Sequence, residues 1–127
     1  MATDSPKITF VEWGANFSAL IKPALPGTSR QYIRREVKHA EAGAAMIGKL
    51  AVVLRIEGRE LVVVAAAGQG LLPATDAIYQ FAQKHGFSTI RFHTRRKGLL
   101  RHVKKWPFFL IEQRGSESIY RMRVSHG

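Results

Sequence analysis

Three groups of residues carry the types and spacings that could do chemistry. The first is FHTRRKGLLRHVKKWPFF, residues 92–109, in which Arg95, Arg96, Lys97, Arg101, Lys104 and Lys105 are threaded between apolar side chains. Lysines and arginines at this density suit phosphate oxygens. The second is Gly68-Gln69-Gly70, a short glycine-rich stretch of the kind that brings backbone N–H groups close to an anion. It lacks the third glycine of a dinucleotide fingerprint, because Pro73 stands there, and no Gly-Lys-Ser/Thr follows as a P-loop would need. The third is the histidines at 39, 85, 93, 102 and 126. They show no paired ligand spacing, so no metal site is expected. Among them His93 ends a strand-like run and could serve as a base or hold an anion.

Each signal has a plainer reading. A run of charge is commonly the solvated face of a helix. Glycines after a strand commonly serve a turn. Whole-chain charge leaves both readings open: net charge is +11 and the isoelectric point about 10.8, which favours polyanionic partners without specifying a fold. Nucleic acid and an acidic protein are the partners such a surface would engage. Phe92, Trp106 and Phe108 look like core, which leaves few aromatic rings for base stacking.

Those residues must be held by something, and the chain has material for it. Its 127 residues, 46% hydrophobic and 23% charged, suit one globular domain with a core of its own. Cysteine is absent, which removes disulfides, thiolate catalysis and cysteine zinc sites. The first residues, MATDSPKITF, lack a signal-peptide pattern, and the longest apolar run, Leu61 to Ala67, is too short to span a bilayer. A soluble cytoplasmic protein with no membrane partner is expected.

Periodicity predicts the elements. KITFVE, residues 7–12, alternates as a strand, and residues 16–22 suggest a turn or two of helix. Thr28 and Gln31 form a capping-box pattern, and Ile33, Val37, Ala40 and Ala44 recur at helical spacing toward Gly43. Residues 47–57 read as a strand that alternates over its second half, with Leu50, Val52, Leu54 and Ile56 on one face. After Gly58, ELVVVAAAG is apolar on both faces, as a covered central strand would be. From Leu71 the period becomes helical, with Ala74, Ala77, Ile78, Phe81 and Ala82 on one side and His85-Gly86 as a stop. FSTIRFHT, residues 87–94, reads as a strand. Residues 95–106 read as an amphipathic helix with Leu99, Leu100, Val103 and Trp106 inward and a ridge of Lys97, Arg101, Lys104 and Lys105 outward. PFFLIEQ and SIYRMRV, joined at Arg114-Gly115-Ser116-Glu117, close the chain as a hairpin. Strand–helix–strand in the middle implies a parallel pair, and the hairpins imply antiparallel neighbours. The fold class is α/β: a single-domain mixed, mostly antiparallel sheet with helices on both faces.

This order resembles the GNAT superfamily of acyl-CoA N-acyltransferases, especially its small divergent members such as those of bacteriophages. The similarity covers roughly residues 45–125 and is carried mainly by GFSTIRFHTRRKGLLRHVKKWPFFLIEQRGSESIYRMRV. The resemblance implies acetyl-CoA or another acyl-CoA as co-substrate, and acyl transfer to an amine. The family's cofactor loop, Gln/Arg-x-x-Gly-x-Gly/Ala, corresponds to Gln69-Gly70-Leu71-Leu72-Pro73-Ala74. Gln69 and Ala74 match; Leu72 replaces the middle glycine, and Pro73 removes one backbone donor. The implied phosphate site comprises Gly68, Gln69 and Gly70, with Arg95, Arg96 and Lys97 nearby. In the family, the short helix of active members often carries an asparagine near its start and a tyrosine that protonates the departing thiolate. Residues 95–106 hold neither, and Tyr120 is the nearest tyrosine in sequence. His93 and Tyr120 are the candidates for proton transfer. Glu57 and Glu60 flank a hairpin turn and read as poor candidates for a buried base. The departures leave a second reading open: a non-catalytic member, virion-associated if of phage origin, using Lys97, Arg101, Lys104 and Lys105 to engage a polyanion. Self-association through the C-terminal hairpin is a further expectation.

Overall fold

A computed structural model describes residues 7–25, 27–95 and 105–126. They form strands β1 (Ile8–Val11), β2 (Gly43–Ile47), β3 (Leu50–Glu57), β4 (Glu60–Gly68), β5 (Thr89–Thr94), β6 (Phe109–Arg114) and β7 (Glu117–Arg123), with helices α1 (Ala15–Ile21), α2 (Thr28–Lys38) and α3 (Leu71–Lys84). The strands make one sheet in the order β1-β2-β3-β4-β5-β7-β6. β4 and β5 run parallel, and the other neighbours are antiparallel. The expected mixed sheet with a parallel strand–helix–strand centre is therefore present. No described helix is long and apolar enough to cross a membrane.

Two apolar layers cover the sheet. On one face Leu50, Val52, Leu54, Leu61, Val63 and Ile90 pack against Ala74, Ala77, Ile78 and Ala82 of α3. On the other, Ala51, Val53, Ala65 and Ala67 meet Phe17 and Ile21 of α1 and Leu25 beyond it. β4 changes face between the two sets. Leu61 and Val63 serve the α3 side, whereas Ala65 and Ala67 serve the α1 side. Two odd-numbered pairs can face opposite ways only if one extra residue intervenes. The pairing shows it: Val53 faces Ala65 and the next partner pair is Leu54 with Val63, so Val64 is a bulge residue.

Three local expectations are corrected. Residues 47–57 are not one strand: β2 and β3 form a hairpin that turns at Gly48, which has φ +61°. The helical stripe from Ile33 does not reach Ala44. α2 ends at Lys38, Ala40 has φ +59°, and Ala44 is buried in β2. Gly43 opens β2 beside the ring of Phe10, where a Cβ would lie 2.9 Å from the ring edge and would displace that half-exposed ring. The Thr28/Gln31 capping box does not form; Gly27 caps α2 without a side-chain hydrogen bond.

Candidate active site

The bulge at Val64 places the site. β4 pairs with β5 from Glu60↔Thr89 to Val63↔Phe92. Beyond that, β5 continues on β7 through His93↔Ile119 and Thr94↔Ser118, while Val64–Gly68 stay alongside β3 alone. A bulge bends its strand and increases its twist. The two parallel strands therefore part, and the sheet opens toward their C-terminal ends.

A cavity of about 270 Å³ occupies this opening. Val64, Ala65 and Ala66 form one wall, and Phe92, His93, Thr94 and Arg95 form the other. The α1–α2 connection and the first turns of α2 cover it with Pro23, Leu25, Tyr32 and Ile33. Ala65, on the α1 face, leaves space that a larger strand residue would fill. Arg55 of β3 and Glu117 of β7 complete the charged part of the lining.

A chain of charges runs across the sheet beside the cavity. Arg55 bonds Glu36 at 2.9 Å and Glu57 at 2.8 Å. Arg91 bonds Glu57 at 2.9 Å and Glu60 at 2.8 Å. Arg121 bonds Glu60 at 2.6 Å, and the Thr89 hydroxyl donates to Glu60 at 2.8 Å. Burial of Glu60 raises its pKa, but the hydrogen bonds from Arg121 and Thr89 and the charges of Arg121 and Arg91 outweigh it. The carboxyl is held below its ordinary range.

His93 joins this chain to the cavity. Arg91 Nε donates to His93 Nε2 at 3.0 Å. An arginine cannot accept, so Nε2 carries the lone pair and the ring proton belongs on Nδ1. Nδ1 lies 3.6 Å from Glu117 Oε1. Burial lowers the imidazole pKa first. Glu117 acts the other way, while Arg91 and Arg55 add to the lowering, and the net shift is downward. The ring is neutral at pH 7.

The other sequence candidates are dispersed. Gly68, Gln69 and Gly70 are exposed at the β4–α3 junction and do not line the cavity. Gly68 has φ +121°, and a Cβ there would stand 2.5 Å from the Lys49 carbonyl oxygen. Its glycine is thus demanded by contact with the β2–β3 turn. Gly70, with φ +91°, caps α3. Pro73 has no N–H to offer, which leaves Leu71 and Leu72 to present the donors of the first turn. Arg95 is exposed on the cavity rim. Tyr120 is buried opposite Phe92 and lies outside the lining. Arg96, Lys97, Arg101 and Lys104, and with them most of the expected basic helix, lie outside the described residues; Lys105 is exposed in a turn. Among the described residues no group of acidic or histidine side chains could hold a metal ion.

Two residues of the site carry little signal in the sequence. Glu60 flanks a hairpin turn, yet it is buried under two arginines. Its one mark is a carboxylate opening an otherwise apolar strand. Glu117 belongs to the last turn by sequence, and only the β5–β7 register brings it to the cavity.

No protein-family model matches the sequence, and no curated protein matches it. Solved structures do match. An acetyltransferase from Bacillus subtilis in complex with CoA superposes with a TM-score of 0.69 at 15% identity, covering 94% of this chain and 99% of its own. A probable GNAT-family acetyltransferase from Chromobacterium violaceum gives 0.67 at 9% identity, covering 98% and 91%. The PaiA N-acetyltransferase from Thermoplasma acidophilum, in complex with coenzyme A, gives 0.58 at 12%, covering 92% and 99%. The chain has the GNAT fold. At these identities the likeness establishes the architecture, and the chemistry must be argued from the residues.

Proposed function

We propose that this chain transfers an acyl group from a CoA thioester to an amine. The observation that carries this reading is the parting of β4 from β5 after Val63, with a cavity in the gap. Val64–Ala66 face that gap with backbone groups that β5 does not pair. An extended thioester arm laid there would hydrogen-bond to β4 in place of the missing strand. A backbone N–H aimed at the thioester oxygen would stabilise the negative charge that grows on it during attack. The CoA complexes of the Bacillus and Thermoplasma proteins support the same ligand here.

Residues at the cavity's end fit the rest of the cofactor. Gln69, Gly70 and the first turn of α3 offer backbone donors and the positive end of a helix dipole to a pyrophosphate. Gly68 supports that loop through its contact with the β2–β3 turn. Arg95 stands at the end of β5, and Arg96 and Lys97 follow it in sequence. In the reaction the amine nitrogen attacks the thioester carbon, the C–N bond forms and the C–S bond breaks. An acceptor that arrives as an ammonium first loses one proton to solvent, which frees the nitrogen lone pair for attack, and after attack the nitrogen's one surplus proton goes to the departing sulfur. Holding both reactants in the gap turns a bimolecular encounter into an oriented one.

Acetyl-CoA titration followed by thermal unfolding tests this. Ligand at 100 times its Kd adds about 2.7 kcal/mol to the folded state, which corresponds to a rise in Tm of roughly 5–10 °C for a domain of this size. An unchanged Tm at millimolar acetyl-CoA overturns the proposal.

A further inference from the structure

We propose that Glu117, oriented by His93, binds the ammonium group of the acyl acceptor, and that the acceptor is a primary amine bearing one positive charge on an apolar body. This rests on the acyl-transfer reading above and adds the class of substrate.

Most carboxylates near the cavity are already paired with arginine. Glu36 is bonded to Arg55, Glu57 to Arg55 and Arg91, and Glu60 to Arg91 and Arg121. Glu117 differs. Among the described residues it is the one carboxylate in the lining of the split cavity, and its ion-pair contact there is His93 Nδ1 at 3.6 Å. That contact does not neutralise it, and Arg114, its cross-strand partner, acts on it electrostatically but is ion-paired to Glu112. Arg91 occupies Nε2 of the same ring, and burial keeps the imidazole uncharged at pH 7. A neutral ring turns its Nδ1–H toward the carboxylate at 3.6 Å and biases its direction, but it leaves the negative charge in place. Glu117 is only partly exposed, so that charge is incompletely screened by water.

The surroundings limit what can meet it. One carboxylate balances one cation. The cavity's other charges are Arg55, already paired, and Arg95 on the exposed rim, and the chain carries +11 overall. A polyamine or a lysine-rich segment would bring further positive charges to a surface that repels them. The cover is mainly apolar, with Pro23, Ala24, Leu25, Ile33 and the Tyr32 ring, and its polar groups, the hydroxyls of Ser29 and Tyr32, are uncharged. Such a wall favours a hydrocarbon or aromatic body and offers no charge partner to a second ammonium.

The test uses the full chain with saturating acetyl-CoA and two acceptors, 2-phenylethylamine and spermidine. The wild type is expected to favour 2-phenylethylamine by at least about tenfold in kcat/KM. Glu117→Gln should raise its KM by roughly 10- to 100-fold, the loss of one charge-assisted contact, with kcat changed far less. His93→Gln should raise the same KM by a smaller factor, because the carboxylate keeps its charge and loses only its orientation. Acetyl-CoA should still raise the Tm of both variants, which separates loss of the acceptor site from loss of fold. Preference for spermidine, or an unchanged KM in Glu117→Gln, overturns the proposal while acyl transfer stands. If acetyl-CoA gives no thermal shift, the acyl-transfer reading falls by itself. Binding of 2-phenylethylamine and the neutral 2-phenylethanol to the unliganded protein then decides the recognition site. A preference for the amine that disappears in Glu117→Gln upholds it, and equal binding of the two by the wild type refutes it.

Discussion

β4 is two strands in one. Glu60–Val63 are zipped between β3 and β5, with apolar side chains turned to α3 and a carboxylate locked under arginines on the other face. Val64–Gly68 keep β3, lose β5 and border a cavity. The residues are apolar in both halves. What differs is the register: one extra residue at Val64 converts a closed sheet into an open cleft. The first half holds the sheet together and the second leaves a gap unfilled, so damage to each shows in a different measurement.

The zipped half should suffer most. Ile90 is 1% exposed and pairs with Leu61. Ile90→Ala removes packed methyl groups and should cost about 3–4 kcal/mol in urea unfolding. If the cost is under about 1 kcal/mol, this half is not the stable core that the comparison requires.

Glu60→Ala comes next. It leaves Arg91 and Arg121 without their shared acceptor, and breaking a buried pair typically costs about 3–5 kcal/mol. Arg121 is 35% exposed and can turn to water, so a loss of about 2–3 kcal/mol is expected. The pH dependence has a definite sign. The folded pKa of Glu60 lies below that of the unfolded chain, whose value is about 4.3. Its contribution is complete above that value and disappears as pH falls through it to the lower folded pKa. Stability curves of wild type and Glu60→Ala should therefore converge on acidification below about pH 4.3.

How far these halves can be read from sequence depends on what marks them. The run ELVVVAAAG announces a covered strand, and alternation in STIRFHT puts Arg91 and His93 on one face. The helical period after Leu71 then forces a crossover, so the parallel pair is legible. The bulge is not. A change of face in a run that is apolar on both sides moves no polar residue to an odd place, and the sequence carries no trace of it. β2 is hidden for a related reason. Gly43-Ala44-Ala45 has little strand propensity, and Ala44 continues the helical spacing from Val37; pairing with β1 and β3 overrides both. Of the site, His93 and Arg95 can be proposed because they end a strand. Glu117 cannot, because its approach to His93 depends on a pairing made across the intervening chain.

The smallest effect tests the junction between the halves. His93 stands at the first position of β5 past the zipped segment and takes a hydrogen bond from Arg91, which is anchored inside it. Its folded pKa lies below the unfolded value of about 6.5. Between that value and the folded pKa, the unfolded chain binds a proton that the folded chain refuses. Stability is thus complete above about pH 6.5 and declines as pH falls below it. His93→Gln keeps a side chain able to accept from Arg91 but cannot titrate. It should remove the decline that begins below about pH 6.5, while leaving the Glu60 transition at lower pH in place. Matched urea titrations at about pH 7.5 and 5.5, one above and one below the unfolded pKa, check it. An unaltered slope would mean that His93 is solvated like the cavity's mouth and does not share the buried environment of the zipped half.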